Sequence, residues 1–131
     1  MPRKPSRKTL VNKADKVFSE YIRRRNADDK GFTECFTCGK VDYWKNLQCG
    51  HFQSRKHYST RWNETNCQVQ CASCNVFRYG EQYKFGKNID ATFGVGVAED
   101  LDRLSKKIVK FSNEDLLELI LFYEKKLAEL K

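Results

Sequence analysis

Apolar residues recur at helical spacing near both ends of the chain and lose any regular period in the middle. From Thr9 to Asn26, Leu10, Ala14, Val17, Phe18, Tyr21 and Ile22 fall on one helical face. Ser112-Asn-Glu-Asp115 has the form of a capping box. It opens a helix expected to run to about Leu130 through Leu116, Leu117, Leu119, Ile120, Phe122, Tyr123 and Leu127. That apolar surface is wider than one face needs, so it packs against the first helix or against a second copy of the chain. A further helix is expected from about Ala98 to Lys107, after a turn at Gly94 and Gly96.

The middle is harder to read. Val41 to Phe52 mixes aromatic and β-branched residues around Lys45-Asn46, which predicts a short hairpin or two irregular strands with His51 near the end. Gln53 to Asn66 is polar and basic, and reads as a loop. A helix is expected from Ala72 to about Phe85, with Gly86 ending it. The expected class is α+β, mostly helical, with N-terminal and C-terminal helices around a small core. The expected divisions are a flexible basic arm at 1–8, a helix and turn at 9–33, a core at 34–87 and a helical region at 88–131.

Charge adds a partner to this picture. The chain of 131 residues carries a net +8. Residues 1–30 hold ten Lys/Arg against four Asp/Glu, residues 31–90 eight against five, and residues 91–131 seven against eight. The basic end and middle point to a polyanion, most simply nucleic acid. Arg23, Arg24 and Arg25 suit the last turn of the first helix, where cations meet its dipole. No signal peptide or membrane span is visible, so a reducing cytoplasm with metal-bound thiolates explains the cysteines better than disulfides do.

Of the six cysteines, four form two C-x-x-C pairs, Cys35/Cys38 and Cys71/Cys74. Four soft thiolates close a tetrahedral shell with no open position, so the metal they imply is structural Zn2+. Cys49 and Cys67 lie outside the pairs and read as small buried residues. Hydrolysis of a phosphodiester needs a base for water, a cation beside the phosphate and a group that positions the base. His51, Asn75 and Asn66 can supply those roles if the zinc site brings them together.

Gly50-His51 followed by Asn66-x-x-x-x-Cys71-x-x-Cys74-Asn75 resembles the signature of HNH (His-Me finger, ββα-metal) endonucleases. The fuller set of Cys35-Phe-Thr-Cys-Gly, Cys49-Gly-His-Phe, Arg61-Trp-Asn-Glu-Thr-Asn66 and Gln70-Cys-Ala-Ser-Cys-Asn75 resembles the NinG/Rap recombination nucleases of lambdoid phages. The resemblance implies a zinc-stapled ββα-metal core that cuts branched DNA such as Holliday junctions or D-loops in an infected bacterial host. It implies His51 as general base, Asn66 as its positioning group and Asn75 as an oxygen ligand of catalytic Mg2+ or Mn2+. Such enzymes often carry a metal-binding residue before the histidine, where this chain has Gly50; His57, Glu64 or phosphate oxygens and water would fill the gap.

Arg55, Lys56, Arg61 and Arg78 flank this centre and are the candidate phosphate contacts. Trp62, Tyr79 and Tyr83 are candidates for stacking on unpaired bases. A four-way junction has near-twofold symmetry, which suits a homodimer. The competing expectation is a non-catalytic zinc-containing DNA-binding module, favoured by Gly50.

Overall fold

The computed structural model describes residues 4–130; the first three residues of the expected arm and Lys131 lie outside them. The helix α1 (Arg7–Arg24) begins inside that arm, because the Ser6 side chain accepts a hydrogen bond from the Thr9 amide and caps it. Leu10, Val11, Ala14, Phe18 and Ile22 form its buried face.

Two small antiparallel sheets follow. β1 (Phe32–Glu34) pairs with β2 (Val41–Tyr43), so that Thr33 faces Asp42, and β3 (Gln48–His51) pairs with β4 (Cys67–Gln70). Of the two arrangements expected within Val41–Phe52, two short strands are present as β2 and β3, and the hairpin is not, since the two do not pair with each other. A 3-10 turn at Trp44–Asn46 separates β2 from β3, and each strand bonds to a partner outside the expected segment. A one-turn helix, α2 (Tyr58–Arg61), interrupts the polar loop between β3 and β4.

Beyond β4, the helix expected at 72–85 is split. A π-helical turn, Ser73–Phe77, is followed by Tyr79 and Glu81 in the left-handed region (φ 54° and 51°). Only then does α3 (Gln82–Phe93) start, and it runs through the boundary expected at residue 87. Gly86 sits inside α3 instead of ending it. A Cβ there would meet the Phe52 ring at 3.1 Å, so the glycine lets α3 approach that ring. After the expected turn, α4 (Val97–Ser105) leads to α5 (Asn113–Glu129).

The capping box is formed: Asp115 N–H donates to Ser112 Oγ at 3.0 Å and Ser112 N–H to Asp115 Oδ2 at 2.9 Å. Leu116, Ile120 and Tyr123 then recur on one face, and that face packs on α1. The Tyr123 ring meets Phe18 edge-on at 4.9 Å. Burying an aliphatic or aromatic side chain contributes about 1.5–3 kcal/mol, so this seam is the main apolar support of the fold. Leu117, Leu121 and Phe122 remain exposed on the outer face of α5. Trp62 and Cys67 extend the seam to the β3–β4 sheet, while Phe85, Ile89 and Leu101 form a separate small cluster. The fold is thus mixed α and β, and no helix among the described residues is long and apolar enough to cross a membrane.

Candidate functional site

The four paired cysteines come together between the turn after β1 and the start of the π-helical turn. Their sulfurs all lie within 4.8 Å of one another, and Cys38 Sγ is 3.7 Å from Cys71 Sγ. Zn–S bonds of about 2.3 Å in a tetrahedron separate sulfurs by roughly 3.8 Å, so the cluster fits a structural zinc ion. Among the described residues, the buried cluster that holds Cys35, Cys71 and Cys74 adds just Leu47 and Val69 as aliphatic side chains, too few to hold the region by burial. Burial opposes ionisation of Cys35, but the Thr37 hydroxyl and the amides of Cys71, Cys38 and Thr37 bring its thiol down to about 6. Burial, with the Cys71 and Cys38 thiols, pushes Cys74 up to about 12.

The cysteine cluster joins β4 to the turn behind it. Phe36 N–H donates to Val69 O at 2.8 Å, tying the cysteine knuckle to β4. Asn75 N–H donates to Cys71 O at 2.9 Å, holding the first turn after the second cysteine pair. A cleft of about 550 Å³ opens beside this assembly, lined by Gln48, Cys49 and His51 from β3, Asn75 and Tyr79 from the turn, and Asp15, Ser19 and Arg23 from α1.

His51 Nε2 lies 3.0 Å from the Arg61 carbonyl oxygen. A carbonyl only accepts, so Nε2 carries the proton and the neutral ring keeps its lone pair on Nδ1. Burial lowers the His51 pKa below the usual imidazole value; the Arg61 carbonyl opposes this and the Arg55 charge adds to it. The ring is therefore neutral at physiological pH and competent to accept a proton.

Asn75 shares the cleft with His51. Its Nδ2 donates to Gln48 Oε1 at 2.7 Å, which orients the amide and leaves Oδ1 as its hard oxygen for another partner. Asn66 lies beneath the cleft and is fully buried. Its Oδ1 accepts from Gln53 N–H at 2.7 Å, and its Nδ2 donates to the Gln53 and Thr60 carbonyls at 3.1 Å each. The amide thereby pins both ends of the loop that presents the Arg61 carbonyl to His51.

Gly50 is set by packing. A Cβ there would fall 1.9 Å from Gln70 Oε1, so no side chain fits while Gln70 keeps its bonds to the Thr37 hydroxyl and the Gly80 carbonyl. Neither of the residues expected to compensate lines the cleft. Glu64 lies 3.7 Å from Arg25 and accepts from the Tyr123 hydroxyl at 2.9 Å, while His57 stands just before α2 with no side-chain bond to the helix. The carboxylate in the cleft is Asp15, already bound by Arg61 and by the Trp62 indole N–H at 3.0 Å.

The basic residues divide. Arg55, Lys56 and Arg78 are exposed, and Arg55 lines the cleft; Arg78 stands on a neighbouring rim with Tyr83, Lys84 and Lys87. Arg61, expected at phosphate, is committed to Asp15 and largely buried. Arg25, expected at a solvated helix end, donates to the carbonyls of Glu64 and Cys67 and to Gln68 Oε1. Trp62, expected as a stacking residue, is buried in the main core, whereas Phe77, Tyr79 and Tyr83 are 76%, 89% and 81% exposed. Asp15, Ser19 and Arg23 were missed as cleft residues, although their i, i+4, i+8 spacing marks one polar stripe of α1.

The sequence model of a family described as "Bacteriophage Lambda NinG protein" matches residues 3–131. The chain belongs to the NinG family. No curated protein and no solved structure matches it. The NinG match spans both terminal helices as well as the cysteine cluster, so the α1–α5 seam and the cleft it borders belong to the family's region.

Proposed function

We propose that this NinG-family protein is a metal-dependent endonuclease acting on branched DNA during phage recombination. The observation that carries the reading is the meeting of His51 and Asn75 on one cleft, with His51 neutral and its Nε2–H held by the Arg61 carbonyl. The β3–β4 pair followed by the π-helical turn and α3 also agrees with the strand–strand–helix order of an HNH centre.

In this reading Nδ1 of His51 takes a proton from water as the water oxygen attacks phosphorus, and the ring becomes imidazolium. The bond to the leaving deoxyribose oxygen breaks, and that oxygen takes a proton from solvent water, giving a phosphate monoester end and a free hydroxyl. Asn66 acts as a positioning residue, since it fixes the loop whose carbonyl holds the ring. Asn75 Oδ1 would hold Mg2+ or Mn2+ together with phosphate oxygens and water, as suits an ion that keeps much of its hydration. When bound, that ion supplies charge stabilisation at the phosphorane and leaving oxygen. Arg55 and Arg23 border the same cleft as phosphate partners, while Phe77, Tyr79 and Tyr83 offer exposed rings to unpaired bases at a branch.

The alternative is a zinc-stapled DNA-binding module without catalysis. One observation favours it: Asp15, the one acidic side chain lining the cleft among the described residues, is already occupied by Arg61 and Trp62. Incubation of a synthetic four-way junction with Mg2+ or Mn2+ separates the two. Cleavage by the wild type and none by His51→Ala supports the nuclease. Junction binding without cleavage by either protein, both folded and zinc-loaded, supports the module.

A further inference from the structure

A second group of metal-ligating side chains lies in the floor of the cleft and shares no residue with the paired cysteines. In the β3–β4 sheet His51 stands opposite Cys67, and Cys49 stands opposite Val69. Alternate residues share one face of a strand, so Cys49, His51 and Cys67 project from the same face. The two sulfurs and a ring nitrogen of His51 all lie within 4.8 Å of one another.

Two simpler accounts leave this grouping unexplained. Burial as a small apolar residue suits Cys67, which is fully enclosed in the main core, but Cys49, although it packs against that core, also lines the cleft with His51. A disulfide is disfavoured by register. Diagonal neighbours in an antiparallel pair have Cα atoms roughly 7–8 Å apart, beyond the ~4.4–6.8 Å that a disulfide spans. An ion with bonds of about 2.0–2.3 Å bridges the three groups with shifts on the order of 1 Å or less.

We propose that Cys49, His51 and Cys67 form a second metal site, selective for soft divalent ions of the zinc class, whose fourth position opens into the cleft. Three protein ligands and one open position is the arrangement of reactive zinc sites, in contrast to the closed tetrathiolate nearby. The surroundings supply what such a site needs. Coordination through Nδ1 keeps the Nε2–H bond to the Arg61 carbonyl, the kind of outer hydrogen bond that orients a ligating histidine. Each thiol releases its proton to solvent on binding, so a dication with two thiolates and a neutral imidazole leaves no net charge in the floor.

One consequence rests on the reading of His51 as general base. An ion on Nδ1 removes the lone pair that would accept a proton from water, so zinc loading would suppress Mg2+-dependent cleavage. Binding itself does not depend on that reading. Native mass spectrometry of the full chain, titrated with Zn2+ and in parallel with Co2+, tests it directly. The expected result is two metal equivalents in the wild type and one in Cys49→Ala and His51→Ala, both retaining the cobalt–thiolate absorption of the tetrathiolate cluster. Saturation of the wild type at one equivalent overturns the site and leaves the nuclease reading untouched. So does retention of both equivalents by the variants. Loss of the second equivalent in the variants supports the site even in a protein that cuts no DNA. Loss of cleavage in His51→Ala without zinc inhibition of the wild type overturns the consequence alone.

Discussion

Arg61 holds Asp15 with two bonds, Nε to Oδ1 at 3.0 Å and Nη2 to Oδ2 at 2.6 Å. Its Nη1 reaches the Arg55 carbonyl at 2.8 Å, and its own carbonyl accepts from His51. One residue therefore joins α1, the loop after β3 and the proposed base. The pair is mostly enclosed, and hydrogen bonds to charged groups contribute about 1.5–3 kcal/mol. Arg61→Ala is expected to lower unfolding stability by roughly 2–3 kcal/mol in urea, with Asp15 left partly stranded. Arg61→Lys should recover little, because a lysine lacks the fork that meets both oxygens. A loss below about 0.5 kcal/mol for the alanine variant would show that the pair is not a support.

Asn66 makes its bonds to Gln53 and Thr60 inside the protein, where water cannot replace it. Asn66→Ala leaves the Gln53 amide and two carbonyls without that partner, a loss of about 3 kcal/mol or more. Asn66→Asp should be no better, since it sets a carboxylate oxygen against two carbonyls. Thermal melts of the zinc-loaded proteins check both, and a melting temperature for Asn66→Ala equal to wild type would contradict this role.

The terminal helices were legible because their signals are local. Leu10, Ala14, Phe18 and Ile22 repeat with the helix, and Ser112 with Asp115 marks a start within four residues. The paired cysteines were legible for the same reason. Strand pairing was not, because β1, β2 and β3 are three or four residues long, and β3 finds its partner in β4, distant in sequence. Gly86 looked like a helix end, but its reason is the Phe52 ring, a contact between remote segments. Asp15 and Arg23 gave no sign of a site, because their stripe of α1 becomes one wall of a cleft only against β3 and the turn after β4, remote in sequence.

Zinc removal should affect the molecule unevenly. Among the described residues, the buried cluster around the thiols has just Leu47 and Val69 as aliphatic support, whereas α1 and α5 share a continuous seam. Chelation is expected to lower the melting temperature and to erase protection of the β3 and β4 amides while much of the helical circular dichroism survives. Uniform amide protection before and after chelation would argue against a structural metal.

Exposed arginines should act on DNA affinity and leave folding alone. Arg55→Ala and Arg78→Ala are each expected to reduce the slope of log affinity against log salt by about 1, with little change in stability. Both side chains lie at the surface, Arg55 in the cleft and Arg78 on the adjoining rim. Fluorescence anisotropy with a labelled junction across a salt series measures this. Unchanged slopes in both variants would move the DNA surface elsewhere.

Tyr123 gives the fold a dependence on alkaline pH. Burial raises its pKa far above the usual phenol value, and the bond to the Glu64 carboxylate at 2.9 Å raises it further. The unfolded chain ionises this tyrosine near pH 10, whereas the folded protein keeps the proton to higher pH. Above that point the native state binds more protons than the unfolded one, so stability falls as pH rises. The contribution is complete below about pH 10 and is lost as pH climbs toward the folded-state value. Tyr123→Phe removes a proton that only the native state retains. It should cost about 1 kcal/mol at neutral pH and show a shallower decline than wild type above pH ~10. Urea unfolding at a series of alkaline pH values distinguishes the two, and parallel curves for wild type and Tyr123→Phe would mean that the phenol titrates alike in both states.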